Sequence, residues 1–204
     1  MNSPRKQRMM EVIGRRQPNL TVLMENVFDP HNISAVLRTC DSVGIGELYT
    51  LYTETPPHNL TGFRSSAGSW KWIKMHEYSD MESCVQDIRK KYGRLYAAHL
   101  GENAFPLYNA DFTQPMAIVF GNEQKGCSAE ILKHCDGQIF IPQVGMAQSL
   151  NISVACAVTL YEAFRQKQAA GHYQIPALPF EEREVLLSEW TDFSTVREKR
   201  LRKA

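Results

Sequence analysis

No run of apolar residues in the 204-residue chain approaches the roughly eighteen needed to cross a bilayer, so no membrane-spanning helix is expected. The N-terminal Met1–Lys6 segment has basic residues but no apolar stretch behind them, which argues against a secretory signal. The five cysteines, Cys40, Cys84, Cys127, Cys135 and Cys156, form no CxxC pair. Their spacing suggests neither a metal site nor a disulfide framework, and a reducing cytoplasm is the simplest compartment. The histidines at 31, 58, 76, 99, 134 and 172 are scattered, so no metal is expected. Neither GxGxxG nor GK[ST] occurs, which speaks against a dinucleotide or a nucleoside triphosphate on a glycine-rich loop. Hydrophobic residues make up 43% and charged residues 22%, as in an ordinary globular domain.

Net charge is only +1, but it is unevenly placed. Residues 1–16 carry +4, through Arg5, Lys6, Arg8, Arg15 and Arg16 against Glu11. Residues 197–203 also carry +4, through Arg197, Lys199, Arg200, Arg202 and Lys203 against Glu198, and the segment between them carries −7. Two basic ends on an acidic middle fit an anionic partner held by the termini, or solvated tails.

Ser3-Pro4 is a helix start signal, opening a short basic amphipathic helix that ends near Gln17-Pro18. Strands are expected over 20–24, 48–51, 72–75, 95–98, 117–120 and 138–141. Helices are expected over 32–43, closed by Gly44, and over 80–92, 128–134, 149–166 and about 181–202. Short apolar strands alternating with helices predict an α/β domain with a mainly parallel sheet covered on both faces. Residues 19–170 form that domain, with helical extensions over 1–18 and 171–204. Ligands of such sheets bind outside the carboxyl ends of the strands, so the informative loops follow residues 24, 98, 120 and 141.

The first of these loops leads into Asn32 and Arg38. Six residues at 100° each leave the two about 120° apart on one helix. Asn32 could cap the helix and Arg38 make a surface ion pair, or both could serve one site. The second runs Val119-Phe120-Gly121-Asn122-Glu123-Gln124-Lys125-Gly126, where glycine lets backbone approach a ligand closely; Glu123 and Lys125 could also be an ordinary loop ion pair. The third runs from Ile141-Pro142 through Gly145 to Ser149-Leu150-Asn151-Ile152-Ser153, with Ser149 a possible cap for a helix of small residues. Gln148, Ser149 and Asn151 cluster polar groups where an α/β ligand site belongs.

In this order, Asn32-x5-Arg38, then Val-Phe-Gly-Asn-Glu-x-x-Gly, then Ile-Pro-x-x-Gly-x-x-x-Ser-Leu-Asn-x-Ser-x-Ala, the chain resembles the SPOUT class of methyltransferases. Within that class it looks like the tRNA (guanosine-2'-O-)-methyltransferases that modify the D-loop, at position 18. The resemblance implies a C-terminal trefoil knot, which periodicity does not show, since connections are normally unknotted. It further implies a homodimer packed through the first and last core helices, and a bent S-adenosylmethionine held largely by backbone near Ala98, Leu100, Gly121, Ile141 and Leu150. Catalytic roles in similar enzymes fall on Asn32, Arg38, Glu123, Ser149 and Asn151.

Methyl transfer to a ribose hydroxyl is an in-line displacement that needs alignment and an activated oxygen. Arg38 is placed by the resemblance at the reacting hydroxyl. A guanidinium has no acceptor while charged, so gripping the neighbouring phosphate and stabilising the developing alkoxide is the simpler role. Asn32 and Glu123 are expected to hold Arg38, and Ser149 and Asn151 to orient the ribose or the loop. The tRNA phosphates are expected on Arg5, Arg8, Arg15, Arg16, Lys199, Arg200 and Arg202, with Arg165 near the site. Phe63 and Trp70 could stack on a base but fit core packing better. The alternatives are a ribosomal-RNA 2'-O-methyltransferase, which often carries a separate N-terminal domain, and a knotted RNA-binding protein without turnover.

Overall fold

The computed structural model describes residues 3–57 and 68–201, with side chains through residue 192. Seven strands form one parallel sheet in the order β3-β2-β1-β6-β4-β7-β5. They are β1 (Leu20–Glu25), β2 (Glu47–Leu51), β3 (Lys74–Tyr78), β4 (Leu95–Ala98), β5 (Phe105–Pro106), β6 (Met116–Phe120) and β7 (Gly137–Phe140). The central strands β1 and β6 are buried along their whole length. Their apolar runs are continuous because both faces are covered. Leu20, Val22 and Met24 of β1 and Met116, Ile118 and Phe120 of β6 point to one face. Leu23, Ala117 and Val119 point to the other, with the two-residue period of a strand.

Helices α2 (Pro30–Ser42) and α5 (Ile152–Ala169) cover the first face, packing on each other through Ile33, Val36, Leu37 and Cys40 against Cys156, Leu160 and Ala163. The small residues of α5 permit that close approach. Helices α3 (Met81–Tyr92) and α4 (Ala129–Lys133) cover the second face through Val85, Ile88, Tyr92 and Ile131. The termini add α1 (Pro4–Gly14) and α6 (Phe180–Leu201). These pack on each other through Met9, Ile13, Leu187 and Trp190, and Trp190 meets Trp72 at 5.0 Å between ring centroids.

Three helix starts fall close to the expected positions, each closed by a side-chain cap. Ser3 accepts from Lys6 N with Pro4 at the first helical position, Asp80 accepts from Ser83 N, and Ser128 accepts from Ile131 N. Two starts differ. Asp29, not Asn32, caps α2, and Asn151, not Ser149, caps α5, so that helix begins three residues later than expected. Strand β3 also sits later, because Ser69–Lys71 forms a 3-10 turn ahead of it. The two-residue β5 was not foreseen; its Pro106 is tolerated because the strand lies at the sheet edge. Among the described residues no helix is long and apolar enough to cross a membrane.

Candidate active site

The loops after β1, β4, β6 and β7 meet at the carboxyl end of the sheet, where the parallel order places a ligand site. The first is pinned by Asn26, which adopts φ 49°, a left-handed conformation that asparagine tolerates better than most residues. Its Oδ1 accepts from Thr53 N at 2.8 Å and Glu54 N at 2.9 Å, and its carbonyl accepts from Asn122 Nδ2 at 2.8 Å. Asn26 therefore joins the loops after β1, β2 and β6. Behind it, buried Glu25 accepts from Ser128 N and Ser128 Oγ. Burial raises the Glu25 pKa, and the bonds from Ser128 only partly oppose the rise. Sequence reasoning had not singled out Glu25, Asn26 or Asn122; the one local signal was an Asn-containing loop directly after a buried strand.

The expected catalytic residues Asn32, Glu123 and Asn151 are brought together. Glu123 accepts from Phe28 N at 3.0 Å, Asp29 N at 3.2 Å and Asn32 Nδ2 at 2.8 Å. Asn151 Nδ2 in turn donates to Asn32 Oδ1 at 3.2 Å. Asn32 is only 7% exposed, and this chain satisfies both ends of its amide. Partial burial acts to raise the Glu123 pKa, but the bonds from Phe28, Asn32 and Asp29 outweigh it and hold the carboxyl below its ordinary value. The carboxylate is thus an anchor that organises the entrance to α2, not a group poised to release or take up a proton near neutrality. It pairs with neither Lys125, whose partner is Glu54 at 2.7 Å, nor Arg38.

Arg38 lies on the exposed side of α2, and its guanidinium makes no hydrogen bond or ion pair among the described residues. The 120° divergence from Asn32 is therefore realised, and Asn32 and Glu123 do not hold Arg38, contrary to expectation. Their amide and carboxylate are used on each other. Ser149 is exposed in the β7–α5 loop. The cap role expected for it belongs to Asn151, whose Oδ1 accepts from Ser153 N at 2.9 Å and Ser153 Oγ at 2.6 Å.

The residues expected around the cofactor suit backbone recognition. Gly121 is buried with no room for a side chain: a Cβ there would lie 2.2 Å from Cys127 N and 2.2 Å from the Gly126 carbonyl carbon. The same turn is closed by paired backbone bonds between Asn122 and Gly126. From Pro142 to Leu150, by contrast, no backbone–backbone hydrogen bond forms among the described residues. That leaves main-chain donors and acceptors for a ligand. Ala98 and Ile141 are half-buried against the core, Leu150 is half-buried, and Leu100 is 69% exposed. Uncommitted backbone beside apolar side chains fits a nucleoside carrying a sulfonium.

Of the cations expected to meet RNA, Arg5, Arg8 and Arg15 are exposed on or just after α1. Arg16 is not. It is 2% exposed and donates to Ile45 O at 2.8 Å, Asp41 Oδ1 at 3.0 Å and Trp72 O at 2.9 Å, with its guanidinium 5.1 Å from the Trp190 ring centre. Those partners exclude it from phosphate binding. Arg165 forms a two-pronged pair with Glu162, 2.8 Å at each contact. It lies roughly 20 Å along α5 from Asn151 by helix rise, so it is not near these loops. The side chains of Lys199 and Arg200, together with Arg202 and Phe63, lie outside the described residues. Trp70 is 41% exposed beneath the Lys71 ammonium, not packed in the core. A groove of about 870 Å³ lies at the opposite end of the sheet between α6 and the amino ends of the strands. Glu181, Glu182 and Glu189 line its α6 wall, and Lys71, Lys74 and Lys91 also line the groove.

Residues 19–161 match the SpoU rRNA Methylase family. The chain is 43% identical over 187 residues to the tRNA (guanosine(18)-2'-O)-methyltransferase of Thermus thermophilus, covering 91% of this chain and 95% of that one. Its fold is similar to the crystal structure of the A. aeolicus TrmH/SpoU tRNA modifying enzyme, with a TM-score of 0.85, 36% identity, and 93% and 96% of the two chains covered. A TM-score of 0.68 at 27% identity, over 76% of this chain and 62% of the other, relates it to the SpoU methyltransferase AviRb from Streptomyces viridochromogenes in complex with AdoMet. The parallel sheet, the three matching loops and these similarities agree: this chain belongs to the SpoU methylase family.

Proposed function

We propose that this protein transfers a methyl group from S-adenosylmethionine to the ribose 2'-hydroxyl of guanosine 18 in the tRNA D-loop. The observation that carries this is the Glu123–Asn32–Asn151 hydrogen-bonded chain, which ties three loops into one site. A relative named for that reaction matches almost end to end. The cofactor supplies an electrophilic methyl group on a cationic sulfur. The backbone around Gly121, Ile141 and Leu150, with Ala98 and Leu100, would hold it. Asn32, Glu123 and Asn151 keep the loops in register, and alignment of this kind is the main requirement of an in-line displacement. Arg38, exposed and unengaged among the described residues, grips the phosphate beside the target ribose and stabilises the developing alkoxide; the proton passes to phosphate or water. Ser149 orients the ribose.

The same reading includes a trefoil knot in the C-terminal part of residues 19–170, flanked by the extensions 1–18 and 171–204. The insertion of β6 between β1 and β4 is compatible with such a path. It includes a homodimer, supported by exposed Val154 and Tyr161, seven residues apart on one side of α5. It also includes phosphate contacts from Arg5, Arg8, Arg15, Arg165, Lys199, Arg200 and Arg202. Because α1 and α6 sit at the amino end of the sheet, the helices of one protomer would serve RNA bound at its partner's loops. A tRNA substrate and unpaired cysteines suit a reducing cytoplasm.

Labelled S-adenosylmethionine offered with unmodified tRNA and with ribosomal RNA fragments tests the substrate. Label in tRNA is expected. Label in ribosomal RNA alone would keep the chemistry and overturn the substrate.

A further inference from the structure

Residues 26–29 carry the chain from β1 into α2 on a backbone that is tied down throughout. The Asn26 carbonyl accepts from Asn122 Nδ2 at 2.8 Å, and Val27 is 1% exposed in the core. Phe28 N and Asp29 N both donate to the Glu123 carboxylate, at 3.0 Å and 3.2 Å. Asp29 then caps α2 with Pro30 at its first position, and a proline restricts the residue before it as well. On this fixed backbone the Phe28 ring is turned outward. It is 71% exposed and stacks on no ring among the described residues.

Single exposed apolar side chains are ordinary on a protein surface. This one differs in its position, because the amide of the same residue holds the carboxylate that orients Asn32. The ring therefore stands at the rim of the joined loops. Exposed His31 follows three residues later, and Arg38, unengaged among the described residues, lies on the same helix. Side chains on a helix lean toward its N-terminus, which carries the Arg38 guanidinium toward the Phe28 end of α2. An apolar ring on the side toward which a free cation leans suits a nucleotide, whose base has an apolar face and whose phosphate is anionic. In the proposed reaction the base hangs on the carbon next to the one bearing the 2'-hydroxyl, so holding the base also places the hydroxyl.

We propose that Phe28 stacks on the guanine of the target nucleotide and so presents its 2'-hydroxyl to the methyl donor. The proposal rests on the tRNA assignment above. It adds a contact with the base, which neither Arg38 nor the Glu123–Asn32–Asn151 chain supplies.

Substitution leaves the Phe28 N–H and its bond to Glu123 in place, so the loop anchor survives in every variant. Steady-state kinetics on tRNA, calorimetric titration of S-adenosylmethionine and sedimentation of the full-length proteins separate base stacking from other uses of the ring. Phe28→Ala is expected to lower kcat/KM for tRNA by about tenfold to a hundredfold, the range of one lost base–aromatic stack, with cofactor affinity and oligomeric state unchanged. Phe28→Trp should stay near the wild-type value and Phe28→Leu should not, because stacking needs a flat ring. A tRNA carrying 2-aminopurine at position 18, whose emission stacking quenches, should be brighter on Phe28→Ala than on the wild type. Wild-type kcat/KM in Phe28→Ala would overturn the proposal, as would full activity in Phe28→Leu. A loss of activity that comes with a change of oligomeric state would overturn it too, and place the ring against a second copy of the chain. A wild-type protein that methylates no tRNA would instead remove the substrate assignment, and this inference with it.

Discussion

Asn32 Nδ2 donates to Glu123 Oε1 at 2.8 Å across 91 residues of sequence, and the opposite end of the same amide accepts from Asn151. Asn32 can satisfy both only in one orientation, with its oxygen toward Asn151 and its nitrogen toward Glu123. The three loops are therefore set by one side chain that does not itself need to touch the reacting atoms.

Glu123→Ala removes the acceptor of Phe28 N, Asp29 N and Asn32 Nδ2 together. Displacement of the entrance to α2 by about 1 Å costs on the order of 100-fold in rate. A fall of that size in kcat, with S-adenosylmethionine affinity changed far less, is expected from steady-state kinetics and calorimetry. Unchanged kcat would show that the anchor is dispensable.

Asn151 both caps α5 and donates to Asn32, and substitutions can separate the two roles. Asn151→Asp keeps a capping oxygen and loses the Nδ2 donor, so melting should be near wild type while turnover falls. Asn151→Ala loses both. The cap costs about 1 kcal/mol, which lowers Tm by about 2–4 °C in a chain of this size. Equal turnover in the two variants is expected if the Asn32 contact is what matters.

Arg38→Ala is expected to abolish nearly all turnover and leave cofactor binding intact, since Arg38 is exposed and holds up no other residue. Arg38→Lys should rescue little, because a compact ammonium cannot grip a phosphate in two places. Near-wild-type turnover of Arg38→Ala would remove it from the chemistry.

Arg16→Ala leaves Ile45 O, Trp72 O and Asp41 without their donor. The Asp41 carboxylate keeps some contact with water, so the loss is that of the buried donor to the two carbonyls, about 1–3 kcal/mol, to be read from chemical denaturation. RNA affinity, measured where the variant remains folded, should stay at the wild-type level. A loss of RNA affinity at full stability would return Arg16 to the RNA-binding surface.

Lys167 is fully buried, and its Nζ donates to Asn19 Oδ1 at 3.0 Å. Desolvation lowers its pKa to about 8 from the ordinary 10.5, with Asp111 only partly opposing the shift. Between those values the unfolded chain binds more protons than the folded one, so stability rises with pH. Below about 8 both states are protonated and the burial penalty is constant. Melting curves should therefore show the wild type gaining on Lys167→Met between pH 8 and 10, and parallel behaviour below pH 8. Parallel curves throughout would place the titration elsewhere.

Much of this site was legible because its residues sit where α/β chemistry concentrates, after buried strands. The helical angle between Asn32 and Arg38 already separated them, and the structure buries one and exposes the other. The α5 cap was harder to place. Ser149, Asn151 and Ser153 compete within five residues, and only the path of the chain from Pro142 onward selects Asn151. Arg16 was misplaced because its partners lie 25 to 56 residues away, and a local run of cations does not reveal which member turns inward.

The most direct test of the account is nucleoside mapping of unmodified tRNA after incubation with labelled S-adenosylmethionine. A single labelled 2'-O-methylguanosine at position 18 is expected, absent from a transcript carrying 2'-deoxyguanosine there. Label on a base, or undiminished label on the deoxy transcript, would contradict it.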